Sequence, residues 1–207
     1  MDNYPFDTCG LSSDEIDRFN DTWLALRNKF DIQPTGTIDF HLEQFEVFKG
    51  HENIRIIGSF AIKQDNNNDT YVLFVESPTK SHGVQSRIHD HYDYQTWAVA
   101  FLRCNFGRVL IRRETLADKL LELVHPIELD FDDDKPFSDT FYVLVNDRMK
   151  AMSAMNRSFR NAVMDIREDD FIIEVSEHTL VIGNHKPIFP ERAVYLAEFV
   201  ARVASMC

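Results

Sequence analysis

The sequence predicts an α+β protein with a mainly antiparallel sheet, and three observations carry that prediction. Short alternating apolar runs recur between residues 37 and 113 with no helical pattern between them, the mark of a β-meander. Three longer segments carry apolar residues at intervals of three and four, the period of a packed amphipathic helix. The 207 residues include 17 Phe and only 7 Gly, which supplies large flat side chains for a core and little material for phosphate-cradling turns.

Ser12 and Glu15 stand at capping-box spacing, where each can satisfy an orphan amide of the other's turn. Ile16, Phe19, Trp23, Leu26 and Phe30 follow in one stripe and predict a helix over residues 13–30, ended by Gln33, Pro34, Thr35 and Gly36. Residues 37–48 alternate through Ile38, Phe40 and Leu42, then shift phase to Phe45 and Val47. That pattern predicts a strand with a bulge. Residues 54–63 alternate through Ile54, Ile56, Gly58, Phe60 and Ile62. Residues 64–69 form a polar turn, and residues 71–75 are continuously apolar, as in a strand covered on both faces. Residues 96–102 and 109–111 predict a hairpin through Asn105, Phe106 and Gly107.

The second half reads as an αβαββα-like block. Thr115 and Asp118 cap a short helix over residues 115–124, stopped by His125 and Pro126. Residues 141–145 are a strand. Asp147 caps a helix over residues 147–166, striped by Met149, Met152, Met155, Phe159, Val163 and Ile166, with that stripe predicted as its buried face. Residues 171–175 and 179–182 form a hairpin around Ser176, Glu177 and His178. Pro190 suits the first turn of the last helix, residues 190–205, striped by Val194, Ala197, Val200 and Ala204. No repeat and no Pro/Gly/Ser-rich linker divides the chain. Residues 1–207 therefore read as one domain, divisible into subdomains 1–113 (helix plus meander) and 114–207 (α+β).

Phe137, Phe141, Val143, Asp147 and Ala151 form the pattern F-x3-F-x-V-x3-D-x3-A, and Gly58 and Phe60 form G-x-F on an earlier strand. On these residues the chain resembles a family of uncharacterised bacterial proteins of unknown function. The resemblance implies an α+β fold and brings no activity with it.

The net charge of -12 is unevenly placed. Residues 1–50 carry 10 acids and 4 bases, and residues 128–147 carry 7 acids and 1 base, so each segment sums to -6. The remaining residues sum to zero, with 9 of each sign over 51–127 and 8 of each over 148–207. An acidic field disfavours nucleic-acid phosphates and anionic membrane surfaces and favours a basic protein partner. Asp130, Asp132, Asp133 and Asp134 are the densest cluster and the candidate interaction residues, with Phe131, Phe137 and Tyr142 as the nearest apolar anchors. No run approaches the roughly 18 apolar residues of a spanning helix. The first ten residues lack the pattern of a signal peptide. Three scattered cysteines, Cys9, Cys104 and Cys207, fit a reducing compartment. The expected location is cytoplasmic.

Chemistry-bearing motifs are few. GxGxxG, GxxxxGK[ST] and GxSxG do not occur. His51-Glu52 does not begin HExxH, because Arg55 stands at the closing position. The acidic run from Asp130 fails as a calcium loop, with Lys135 at position 6 and Phe141 at position 12. The long segment 77–94 holds His82, His89 and His91 with interleaved Asp and Tyr. On a strand, His89, His91 and Asp93 share one face and could ligate a divalent metal, the one cofactor the sequence admits. His82, His125, His178 and His185 are candidates for a fourth ligand. His89, His91 and Asp93 resemble the HxHxDH motif of the metallo-β-lactamase family, with Tyr94 in place of the last His. The leading expectation is a non-enzymatic, acidic interaction protein of adaptor or immunity type. The alternatives are a metal-dependent hydrolase centred on residues 89–93, and a structural homo-oligomer that extends its sheet across chains.

Overall fold

A computed structural model describes residues 4–36, 38–49, 54–65, 67–78, 92–113 and 126–206. The first helix, α1 (Ser13–Lys29), forms where the sequence places it. The Ser12 hydroxyl accepts from the Glu15 amide, and the Glu15 carboxylate takes the Ser12 amide at 2.7 Å. Its stripe buries Phe19, Trp23 and Leu26. Trp23 meets Phe60 at 4.8 Å between ring centroids, and Phe19 meets Phe74 at 5.5 Å.

The strands are β1 (Ile32–Pro34), β2 (Arg55–Ile62), β3 (Thr70–Pro78), β4 (Tyr92–Phe101), β5 (Arg108–Arg113), β6 (Ile127–Glu128), β7 (Phe141–Val145), β8 (Ile172–Ser176) and β9 (Thr179–Pro187). Among the described residues they form one nine-stranded sheet in the order β1-β2-β3-β4-β9-β8-β5-β7-β6. Every one of these pairings is antiparallel. The chain is thus α+β with an antiparallel sheet, and a single sheet runs through both halves of the sequence.

Period-2 alternation sends neighbouring residues of each strand to opposite faces. On one face, Val72 and Phe74 of β3 pack with α1. Further along, Val109, Ile111 and Val143 pack with α3 (Arg148–Ala154), α4 (Arg157–Met164) and α5 (Pro190–Ala204). A short α2 (Lys135–Ser138) buries Phe137 at the same core. On the other face, Leu73, Val75, Trp97, Val99, Val181, Leu110 and Leu144 are covered by residues 40–48. The layers are helices, sheet and this strap.

The strap corrects the expected strand over residues 37–48. Residues Leu42–Gln44 and Glu46–Phe48 are two 3-10 turns. Leu42, Phe45 and Phe48 recur every third residue and all are buried, as the three-residue period of a 3-10 path aligns them. The phase shift after Leu42 marks this change of period.

The expected hairpin of residues 96–102 with 109–111 also gives way. β4 pairs with β3 and β9, and β5 pairs with β7 and β8. The connecting backbone instead bonds the tip of the β8–β9 hairpin: Leu102 N donates to His178 O, Phe106 N to Glu177 O, and Glu177 N to Gly107 O. Gly107 adopts φ +68 there, a conformation glycine reaches without a Cβ penalty.

The expected helix over residues 147–166 is two helices. Asp147 caps α3 through the Met149 and Lys150 amides, and Asn156 caps α4 by accepting from Phe159 N at 3.0 Å. A side chain that offers the backbone an alternative partner stops one helix and starts the next. Arg160 donates to the freed Met155 carbonyl at 3.1 Å. The methionine stripe therefore splits: Met155 is buried, while Met149 is 79% and Met152 46% exposed. The expected helix over residues 115–124 lies outside the described residues.

Candidate functional site

The strap leaves the sheet edge at β1. Thr35 N donates to Ser59 O at 3.0 Å, and Ser59 Oγ donates to Gly36 O at 3.1 Å. The strap then crosses the sheet, with Phe40 against Tyr71 (5.1 Å) and Phe48 against Trp97 (4.6 Å). Its far end is fixed over β8. Glu174 is fully buried and its carboxylate accepts from Glu46 N (2.9 Å) and Val47 N (3.1 Å). Burial, partly offset by these two amides, raises the Glu174 pKa above the ordinary carboxylate range. Arg108 donates to Glu46 Oε1 (3.2 Å) and to Gln44 O (2.6 Å).

Between the strap, residues 4–7 and the first half of β2 runs a groove of about 890 Å³. Ile38, Leu42, Phe48, Ile54 and Ile56 supply its apolar surface. Among the described residues, its charged lining is three carboxylates, Asp7, Asp39 and Glu43, against one guanidinium, Arg55. Arg55 is itself engaged by Glu76 (2.7 Å) and Asp7 (3.0 Å), which together hold its pKa above the ordinary value, with Glu76 the main cause. Asp39 and Glu43 are 74% and 75% exposed. Between them sits His41, its Nδ1 at 3.3 Å from Asp39 and 3.4 Å from Glu43. His41 has φ 51, and its amide donates to Asp39 Oδ1 at 2.8 Å.

The ligand atoms of Asp39, His41 and Glu43 all lie within 4.8 Å of one another. Ligands at about 2.1 Å from one tetrahedral ion stand roughly 3.4 Å apart. The trio as it stands is a histidine shared by two carboxylates, held open to solvent at the rim of the groove.

Neither a known protein-family model nor a curated protein matches the chain. Among solved structures, the chain is similar to the crystal structure of the mycobacterial trehalose monomycolate transport factor A, TtfA. The TM-score is 0.54 at 10% identity, covering 94% of this chain and 95% of that one. A likeness at that identity concerns the fold alone.

The residues singled out from the sequence fall elsewhere. His89 and His91 of the expected metal set lie outside the described residues. Asp93 is exposed on β4, opposite Ser77 of β3. Asp130, Asp132 and Asp133 are exposed near the opposite edge of the sheet from β1. Asp133 and Asp134 pair with the buried Arg160 at 2.7 and 2.9 Å, and Arg160 stacks over Phe131 at 4.4 Å. Half of that acidic cluster is thus joined to a structural cation. Phe131 and Phe137 are buried, so only the half-buried Tyr142 remains of the three expected anchors.

Sequence reasoning missed the groove. The signal was present in residues 38–43, where Asp39, His41 and Glu43 alternate with the apolar Ile38, Phe40 and Leu42. Phe40 and Leu42 of that alternation are buried, whereas Ile38 is exposed and lines the groove together with Asp39 and Glu43.

Proposed function

We propose that the protein is a non-enzymatic interaction protein that engages a basic partner protein. The observation that carries this reading is the exposed acidic rim of the strap beside a groove partly lined by apolar side chains. Charge of one sign speeds encounter with an oppositely charged partner, and an adjacent apolar surface supplies the contact that keeps it bound. A net charge of -12 supports the same polarity of partner. No helix among the described residues is long and apolar enough to cross a membrane, so the reading requires no membrane insertion of the described segments.

The test is kinetic. A partner recovered by in-cell crosslinking is purified and its association rate measured at low and high ionic strength. The expected result is a rate that falls steeply with salt. The rate should also drop when carboxylates are neutralised, either at the strap (Asp39→Asn with Glu43→Gln) or at the far edge (Asp130→Asn with Asp132→Asn). A rate indifferent to salt and to both pairs of substitutions would overturn the reading.

A further inference from the structure

Resting on the reading of the protein as an interaction protein, we propose that the groove beside the strap takes an extended partner segment in which an arginine is flanked by apolar side chains, its guanidinium held between Asp39 and Glu43. The charge complementarity is local. Among the described residues, the only guanidinium lining the groove, Arg55, is already engaged by Asp7 and Glu76. Asp39 and Glu43 flank the ring of His41, which is 67% exposed and would swing out into solvent as the guanidinium takes its place.

Three features favour a guanidinium over an ammonium. Two separate carboxylates flank one position, and a planar fork with several N–H donors can bond both at once. The seat now holds an imidazole, also a flat, delocalised group. Ile38, exposed, and Leu42, largely buried, line the same groove as the two carboxylates, and a weakly hydrated guanidinium tolerates apolar neighbours better than a lysine ammonium does. Ile38 is exposed, and Phe48, Ile54 and Ile56 continue the apolar surface along the groove. Apolar side chains on either side of the arginine would lie there.

The experiment uses the full chain and a fluorescein-labelled peptide, acetyl-Ile-Arg-Leu-Arg-Ile-amide, read by fluorescence anisotropy. Its analogue with citrulline for arginine has nearly the same shape and no charge. The expected result is saturable binding of the arginine peptide that weakens with salt, with the citrulline peptide at least about tenfold weaker. The D39N/E43Q variant should lose about tenfold, and D130N/D132N should be unchanged. All four positions are exposed, and the Asp39→Asn amide keeps an oxygen to accept from the His41 amide, so the variants should fold; circular dichroism checks this. Equal affinity for the two peptides, or no binding at millimolar protein, overturns the proposal. If D130N/D132N weakens binding and D39N/E43Q does not, the groove is wrong and the interaction reading stands on the other acidic surface. If neither pair matters, the groove proposal falls, while the interaction reading is decided by the recovered partner's association rate. Self-association of the protein that D39N/E43Q abolishes would give the groove to a second copy and overturn the arginine assignment.

Discussion

The indole of Trp97 occupies the space that a Cβ on Gly183 would need. The two residues face each other across β4 and β9. A Cβ at position 183 would stand 2.5 Å from Trp97 Cδ2 and 2.9 Å from Thr96 O. Trp97 in turn carries Phe48 of the strap and donates its indole N–H to Gln95 Oε1 at 3.0 Å. The glycine thus sets how closely the ring lies on the sheet.

Gly183→Ala should therefore destabilise the protein by about 1–3 kcal/mol, the usual cost of overpacking a tight core. Urea unfolding monitored by tryptophan fluorescence measures it. A double-mutant cycle with Trp97→Phe should show coupling between the two sites. A Gly183→Ala variant as stable as the parent would contradict the close approach.

Removing the strap's buried anchor should cost more. Glu174→Ala leaves the Glu46 and Val47 amides without their acceptor, at about 1–3 kcal/mol for each buried donor. Proteolysis should detect the consequence locally, with cleavage within residues 40–48 accelerated relative to the rest of the chain.

The same carboxylate gives a pH dependence of known sign. Its folded pKa lies above its unfolded value because burial penalises the anion. The stability it contributes is then fully present below the unfolded pKa and is lost as pH rises through the folded pKa. The stability difference between the parent and Glu174→Gln should shrink or reverse over that interval as pH increases. Chemical denaturation at a series of pH values reads the slope.

Tyr94 offers a second titration. Burial, and then the neighbouring Glu76, push its hydroxyl up to about 12. The folded state favours the neutral phenol, so this contribution is lost as pH climbs from about 10 to 12. Tyr94→Phe should make alkaline unfolding less steep over that interval. Ultraviolet titration of the parent should find a late-ionising tyrosine that is absent from the variant.

Thr96 is buried on β4 and its hydroxyl has no hydrogen-bond partner among the described residues. Thr96→Val keeps the shape and removes the stranded polar atom. Thermal unfolding should show a gain of about 1 kcal/mol.

What the sequence made legible was local. The capping box of α1, the Asp147 cap, the Pro190 start of α5 and the alternation of β2 all depend on residues a few positions apart. The strand partners do not. Nothing near residues 96–111 announces that β9 and β8 lie between β4 and β5, because those contacts join positions far apart in the chain. The break at Asn156 was readable in principle, since Asn is a strong N-cap, but the apolar stripe around it continued at helical spacing. β1 and β6, with three and two residues, are too short to carry a period. The groove escaped for the same reason as the strand order: its two walls come from residues 4–7 with β2 and from the strap, and no spacing within either wall reveals the other.

The place of β9 at the middle of the sheet has a consequence for biosynthesis. β4 is finished at residue 101, but the strand that pairs its second edge ends at residue 187. At about 5–20 residues per second, translation needs roughly 4–17 seconds to cross that interval. Throughout it, a strand whose Trp97, Ala98, Val99 and Ala100 belong to the final core waits on the ribosome with one edge unpaired. An apolar edge of that kind invites pairing with other chains. Nascent chains halted before residue 187 should accumulate as chaperone-bound or insoluble material rather than as a folded N-terminal half.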